Sequence, residues 1–404
     1  MCERGIYVLG RGASGQAAAA LARALCYAVT VADDASPLPA RGADAPDFAV
    51  VSPGFALEHP LVKACRERGV PLKSELQFGC EALKKNGWRL LAVTGSKGKS
   101  SVVKLVADAL GGVACGNYGR PVSDVALEKD DHRNFSPFTF HFSLPGWAIV
   151  EVSSFQLETT ELPPDCFEAA AILNLQEDHL DRHGTVAAYH ALKRKLLAFT
   201  RRPFECPQAD AASRDLARGS YFDNAVLADN AAAAVALLRA AGLDDAAIRA
   251  AFLGFRPLVH RFETVAETGG VKYIDDSKAT SLAALAAGVK MASSAATGRT
   301  VRLIAGGLAK GDDPEAVAAI LTNRVKKVYL IGSCAEVFFS AWSGAADCEI
   351  CGTLERAVET ARREAQNGET VLLSPGCASF DQFKSFGERG EVFAGLVKRE
   401  RKSK

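Results

Sequence analysis

The sequence predicts an α/β protein built on mostly parallel sheets and divided into three domains. Three observations predict it. A chain of 404 residues exceeds what one hydrophobic core organises, which argues for about two or three domains. Short β-branched runs alternate with alanine-rich stretches of helical spacing, the pattern of strands joined by crossover helices. Two glycine-rich turns each follow such a strand and open such a helix. Boundaries are expected at 1–87, 88–257 and 258–404, marked by "KKNG" before Trp88 and by Gly254 and Pro257.

In the first domain "IYVLG" is a strand, 11–15 a glycine turn, and the alanine-rich run to Ala28 a helix; "VTVAD" and "FAVVSPG" add two strands. Residues 10–15, "GRGASG", have the dinucleotide-fingerprint form, with Asp33 and Asp34 closing the next strand. The form suits a phosphorylated ligand, whether NAD or a nucleotide sugar, and is also compatible with a plain strand–turn–helix. The second domain opens on the strand "LLAVT", followed by "GSKGKSS" and a helix with Val102, Leu105, Val106 and Ala109 on one face. Val93 stands where the common G-x-x-x-x-G-K-[ST] pattern has its first glycine, so the loop is a shortened form. Its backbone N–H groups over 95–99 suit phosphate oxygens, Lys99 the terminal phosphates and Ser100 a Mg²⁺ ion.

The strand "WAIVEVSS" places Glu151 at an apolar strand end, where an acid is costly unless it faces a cation. Ser153 or Ser154 there also suits a helix N-cap. After "AAILNL" come Asn174, Glu177, Asp178 and His179, at the strand end where open α/β sheets hold their ligands. Tyr189 and Lys193 follow at i, i+4 on one helix face; from the residue alone, Lys193 reads as a surface lysine. The domain ends in an alanine helix over 229–241. The third domain has the strands "KYIDD", "VRLIAGG", "KVYLIG" and "TVLLSPG".

The near-neutral net charge of +1 argues against nucleic acid as a partner. No apolar run has the length of a membrane span and "MCERGIYVLG" lacks a signal-peptide layout, so a cytoplasmic location is expected. Of the eleven cysteines, Cys26, Cys80, Cys115 and Cys334 lie in apolar runs, as buried reduced thiols do. Cys348 and Cys351 form a C-x-x-C without a second pair, which weakens a metal or redox reading.

Six segments, "TGSKGKSS", "EVSSFQLE", "EDHLDRH…YHALK", "HRFE", "DDSKATS" and "LLSPGCASFDQFKSFGERG", occur in that order. Together they resemble the Mur ligases of peptidoglycan synthesis, over nearly the whole chain and most closely the D-glutamate-adding branch. The shortened loop is the form found in that family. "SSFQLE" and "SPGCASFDQF" are the specific parts; the loop and "HRFE" are shared with other Mur ligases and folylpolyglutamate synthetases. The resemblance implies an N-terminal Rossmann-like UDP-binding domain, a central P-loop ATPase domain and a C-terminal Rossmann-like domain.

By the same resemblance, Gly12, Ala13, Ser14, Gly15, Asp33, Ser52, Pro53, Gly54 and Asn117 match contacts to the UDP-muramoyl substrate. Gly95, Ser96, Lys97, Gly98, Lys99, Ser100 and Ser101 match the ATP loop, with Asn230, Arg261, Asp276 and Lys278 as further ATP contacts and Lys97 peripheral. Ser100 and Glu151 match ligands of one Mg²⁺, and His179 and Lys193, the latter as a carbamate, ligands of a second. Thr280, Lys310, Ser379 and Phe386 match the D-glutamate site. The implied reaction begins with attack of the UDP-N-acetylmuramoyl-L-alanine carboxylate on the γ-phosphate of ATP. The amine of D-glutamate then attacks the acyl phosphate. The implied enzyme is a monomer that closes around its substrates.

Four departures stand out. No arginine follows the second-strand acid, where the run is "ADDASPLP", so another basic group is expected to serve the UDP end. The segment 128–146 is longer than usual, and an added hairpin or loop is expected there. The segment 201–227 is short and lacks the His-Asn pair expected before Asn230, leaving Asn230 alone for adenine. Phe380 replaces an aliphatic residue beside the glutamate site. The rival readings explain less. A sister ligase for diaminopimelate or lysine would carry a DNPR-like stretch, which is missing. An NAD oxidoreductase has no use for Lys99, Glu151, His179 and Lys193 together, nor a nucleotide switch for "DDSKATS".

Overall fold

The structure, a computed structural model, describes residues 4–39, 46–128, 146–293 and 298–399. The first strands are β1 (Gly5–Leu9), β2 (Ala28–Ala32), β3 (Phe48–Val51) and β4 (Leu72–Ser74), in a parallel sheet of order β2-β1-β3-β4. The alanine run after the first glycine turn is helical over Ala13–Ala24 and stops there, so Ala28 begins β2 instead of ending the helix. Six small or apolar residues of that helix are buried, and they lie at helical spacing along one face.

A second parallel sheet contains β5 (Arg89–Thr94), β6 (Val113–Gly116), β7 (Trp147–Glu151), β8 (Ala169–Ile172) and β9 (Pro203–Glu205), in the order β6-β7-β5-β8-β9. β5 is central and wholly apolar from Leu90 to Val93, as a strand covered on both faces must be. The expected strand over "WAIVEVSS" is shorter than read. It ends at Glu151, and Ser153 then caps the helix Ser154–Leu157 in a reciprocal capping box with Gln156.

The third sheet has β10 (Glu263–Thr268), β11 (Val271–Asp275), β12 (Val301–Gly306), β13 (Val325–Ile331), β14 (Asp347–Gly352) and β15 (Thr370–Leu373). Its order is β10-β11-β15-β12-β13-β14, parallel except for the antiparallel edge strand β10.

The chain divides into two compact units, one of residues 1–223 and 227–255 and the other of 224–226 and 256–404. The first unit holds the first two sheets, and the boundary expected at 87 falls inside it. One hydrophobic core joins them, running from Ile6, Val8 and Phe48 to Leu90, Ala92 and Val150. The helices Glu75–Lys85 and Val122–Leu127 pack so closely that a Cβ on Gly79 would stand 2.8 Å from the backbone of Ser123. Polar links add to this joint, with Ser74 Oγ 2.6 Å from Thr160 Oγ1 and the Glu161 N–H donating to Gln77 Oε1 at 2.9 Å. The second unit holds the third sheet, with separate apolar clusters on its two faces. The segment 129–145, where an added hairpin or loop is expected, lies outside the described residues.

Candidate active site

In the first unit the phosphate-loop candidate connects β5 to the helix Lys99–Leu110. Gly98 takes the left-handed conformation (φ 84°) as that helix's N-cap, and a Cβ there would stand 2.3 Å from Asn230 Nδ2. The loop is held by the segment after β8. Ser96 N–H donates to the Asn174 carbonyl at 3.1 Å and Lys97 N–H to Asn174 Oδ1 at 2.9 Å. Ser96 Oγ bonds the Gln176 carbonyl at 3.0 Å and lies 3.3 Å from Tyr189 Oη. Lys97 is exposed, while Lys99 is half-buried.

Lys99 Nζ donates to the carbonyls of Gly95 at 2.8 Å and Ser96 at 3.2 Å. Lys193 Nζ donates to the same Gly95 carbonyl at 3.1 Å and lies 4.5 Å from the Tyr189 ring centre. The surface reading of Lys193 is wrong: its side chain is 2% exposed. Burial, reinforced by the Lys99 cation and opposed by Asp178, brings its pKa down to about 7.

Glu151 ends β7, paired in register with Val93 of β5 and Gly116 of β6. It is 2% exposed. Asn117 holds it twice, by its backbone N–H to the Glu151 carbonyl and by Nδ2 to Oε1, both at 2.8 Å. Oε2 is buried and has no hydrogen-bond partner. A buried carboxylate oxygen left unpaired at the end of a strand beside a lysine-bearing loop fits a divalent cation. His179 stands in the left-handed conformation (φ 52°), uncommon for a side-chain-bearing residue, with its ring half-exposed 3.6 Å from Asp178 and 4.9 Å between centroids from Phe155.

The first sheet presents its own turn. Gly15 sits where a Cβ would come within 2.0 Å of the Gly10 carbonyl, so only glycine lets the helix Ala13–Ala24 start this close to β1. A cation does stand beside Asp33. It is Arg11, from within the glycine turn, 2.9 Å away. Ser52 Oγ is buried without a partner.

Sequence reading missed three residues that bind this region together, Glu158, Arg182 and His183. Arg182 forms a two-pronged pair with Glu158, at 3.0 and 2.7 Å, and donates to the Phe55 carbonyl at 3.0 Å. His183 Nε2 lies 3.0 Å from Ser154 Oγ, and its ring stacks on Tyr189. All three lie in the quoted motifs "SSFQLE" and "EDHLDRH", which was the available signal.

In the second unit Lys310 Nζ lies 3.3 Å from Thr280 Oγ1, and Lys278 Nζ lies 4.0 Å from the Phe386 ring centre. Asp276 is held by Ser374 Oγ at 2.9 Å and the Phe262 N–H at 3.2 Å, and burial raises its pKa to about 7. Arg261 neighbours that acid and lowers its pKa by charge. Ser379 is buried and Phe380, next to it, is 71% exposed. Of the four expected buried thiols, Cys80, Cys115 and Cys334 are buried. Cys26 is exposed, because it occupies the turn after the first helix at φ 64°.

A model of the Mur ligase middle domain matches residues 93–204, and one of the Mur ligase glutamate ligase domain matches 260–377. The UDP-N-acetylmuramoylalanine–D-glutamate ligase of Acidobacterium capsulatum is 34% identical, over 97% of this chain and 95% of its own. The chain belongs to the Mur ligase family. A second Mur ligase of the same name, from Chlamydia abortus, is 32% identical over 98% of this chain and 93% of its own. Among solved Mur ligases, UDP-N-acetylmuramate–alanine ligase (MurC) from Thermotoga maritima superposes with a TM-score of 0.57 at 16% identity, covering 98% of this chain and 99% of its own. MurF from the same organism, solved with ADP, gives 0.55 at 15% identity over 88% and 90%. These likenesses show the shared α/β fold with mostly parallel sheets. Among the described residues, no helix is long and apolar enough to cross a membrane.

Proposed function

We propose that this Mur ligase joins D-glutamate to UDP-N-acetylmuramoyl-L-alanine with ATP, through an acyl phosphate, in peptidoglycan precursor synthesis. The observation that carries the reading is the unpaired, buried Oε2 of Glu151 beside the Gly95–Ser101 loop, on whose Gly95 carbonyl Lys99 and Lys193 converge. Full-length relatives bearing the D-glutamate ligase name support the choice of acceptor and amino acid.

The loop amides and Lys99 bind the β- and γ-phosphates, and Lys99 exchanges its carbonyl partners for phosphate oxygens. Ser100 and Glu151 would hold one Mg²⁺, and His179 and a carbamate on Lys193 the second. Bound, these ions neutralise charge on the transferred phosphoryl group. A depressed pKa leaves Lys193 substantially neutral near pH 7, as its amine must be to add to CO₂ and release a proton. Asn117 fixes the rotamer of Glu151 and so its open oxygen.

Gly12–Gly15, Asp33 with its partner Arg11, and the turn at 52–54 hold the UDP end, Arg11 serving in place of the missing arginine. Arg261, Asp276 and Lys278 serve ATP, while Thr280, Lys310, Ser379 and Phe386 bind D-glutamate. Asn230, placed against Gly98, supports the loop as well as serving the nucleotide. We assign these roles to domains at 1–87, 88–257 and 258–404 of a monomeric, cytoplasmic enzyme. An ADP-release assay tests the reading. ADP should form only when UDP-N-acetylmuramoyl-L-alanine and D-glutamate are both present, and release indifferent to the amino acid would reduce the protein to a plain ATPase.

A further inference from the structure

Arg182 lies on the four-residue helix Leu180–His183, three residues beyond His179. Its side chain is 15% exposed, and that of its partner Glu158 is 8% exposed. Beyond the two-pronged pair, the guanidinium donates to three successive carbonyls, those of Phe55 at 3.0 Å, Pro53 at 3.4 Å and Gly54 at 3.5 Å. It also covers the Phe155 ring at 4.6 Å. One cation therefore ties together the turn after β3, the segment after β7 and the loop that carries His179.

The turn's fourth carbonyl, that of Ser52, accepts from the Phe55 N–H at 3.1 Å. All carbonyl oxygens from 52 to 55 are thus occupied within the protein, and three of them face a positive charge. A diphosphate is repelled by carbonyl oxygens and attracted by N–H groups. The Ser52 N–H is taken by the Leu9 carbonyl, the Phe55 N–H by that of Ser52, and Pro53 has none, so with its carbonyls drawn away the turn offers the Gly54 N–H. Ser154, His183 and Glu158 are connected in the order of a nucleophilic triad, at 3.0 and 3.6 Å. Ser154 is 2% exposed, however, and cannot meet a substrate carbon. Burial shifts the His183 pKa downward against the pull of Glu158, and the cluster braces Glu158 for Arg182.

We propose that Arg182 is a positioning residue for the sugar-nucleotide substrate: it gathers the carbonyls of Pro53, Gly54 and Phe55, and so fixes the turn read as contacting that substrate relative to the His179 loop. This rests on the reading above that the 52–54 turn contacts the UDP substrate. Only Arg provides the fork that serves a carboxylate and several carbonyls at once; Lys keeps the charge and loses the geometry.

The test uses the full chain with Arg182→Ala, Arg182→Lys and Glu158→Gln, each checked by thermal melting. Binding of UDP-N-acetylmuramoyl-L-alanine and of ATP is measured separately by calorimetry, alongside KM values from ADP release. The expected result is a rise of about tenfold or more in Kd and KM for the UDP substrate in Arg182→Ala. The two milder variants should fall between it and the wild type, with ATP binding nearly unchanged in all three. If Arg182→Ala does not fold, Arg182→Lys and Glu158→Gln carry the comparison. Unchanged affinity for the UDP substrate in a folded variant overturns the proposal. So does an equal loss for both ligands, which marks a merely structural residue. Failure of the wild type itself to bind UDP-N-acetylmuramoyl-L-alanine would instead overturn the functional reading beneath it.

Discussion

Two lysines donate to one carbonyl oxygen, that of Gly95, and this crowding distinguishes them. Lys99 is half-buried at the start of a helix, where, in the proposed reading, a phosphate would replace the carbonyl at little cost. Lys193 is buried and its charge is opposed by Lys99, so the neutral amine is favoured, and the proposed carbamate would replace a poorly placed cation with an anion. Lys99→Ala should lower the phosphoryl-transfer rate by a factor of about 10²–10³ or more, read as ADP formed per enzyme. Lys193→Ala should also be weak, and added short-chain carboxylic acids should restore part of its activity by supplying the missing oxygen ligand. Full unaided activity of that variant would sink the carbamate assignment. Glu151→Gln keeps the bond from Asn117 but removes the anionic oxygen, so its loss should appear in kcat and in the Mg²⁺ concentration needed for half-activity.

Among the connected elements, the glycine loops were the most legible in the sequence, because each needs a backbone that only glycine permits. Gly98 shows why: its positive φ and the Asn230 amide at its Cβ position both exclude a side chain. Gly98→Ala should therefore cost about 1–3 kcal/mol and push Asn230 aside, seen as a lower melting temperature together with a raised KM for ATP. Helices and strands with a strong pattern were also legible. Strand ends were not, since Glu151 and Ser153 belong to one apolar-to-polar run in sequence and to a strand and a helix cap in the structure. Lys193, Arg182 and Glu158 escaped for another reason. Their positions depend on partners far along the chain, such as the Gly95 and Phe55 carbonyls, and no local spacing encodes those.

The joint between the first two sheets is made by long-range packing, and it contains a carboxylate whose ionisation bears on the stability of the first unit. Glu75, 1% exposed, starts the helix Glu75–Lys85 and accepts from the Ser123 N–H at 2.7 Å, while its Oε2 has no partner. Burial raises its pKa to about 7, only partly offset by hydrogen bonds from Ser123. An acid whose folded pKa lies above its unfolded value favours the folded state below the unfolded pKa, and that advantage disappears as pH rises through the folded pKa. The first unit should accordingly lose about 3 kcal/mol between pH 4.5 and pH 8 through this one residue. Glu75→Gln keeps an oxygen for the Ser123 N–H and removes the charge. It should melt higher than the wild type at pH 8, melt no higher at pH 5, and show a flatter dependence between them. Parallel curves for the two proteins across that range would mean that Glu75 ionises without cost, and that water reaches the joint.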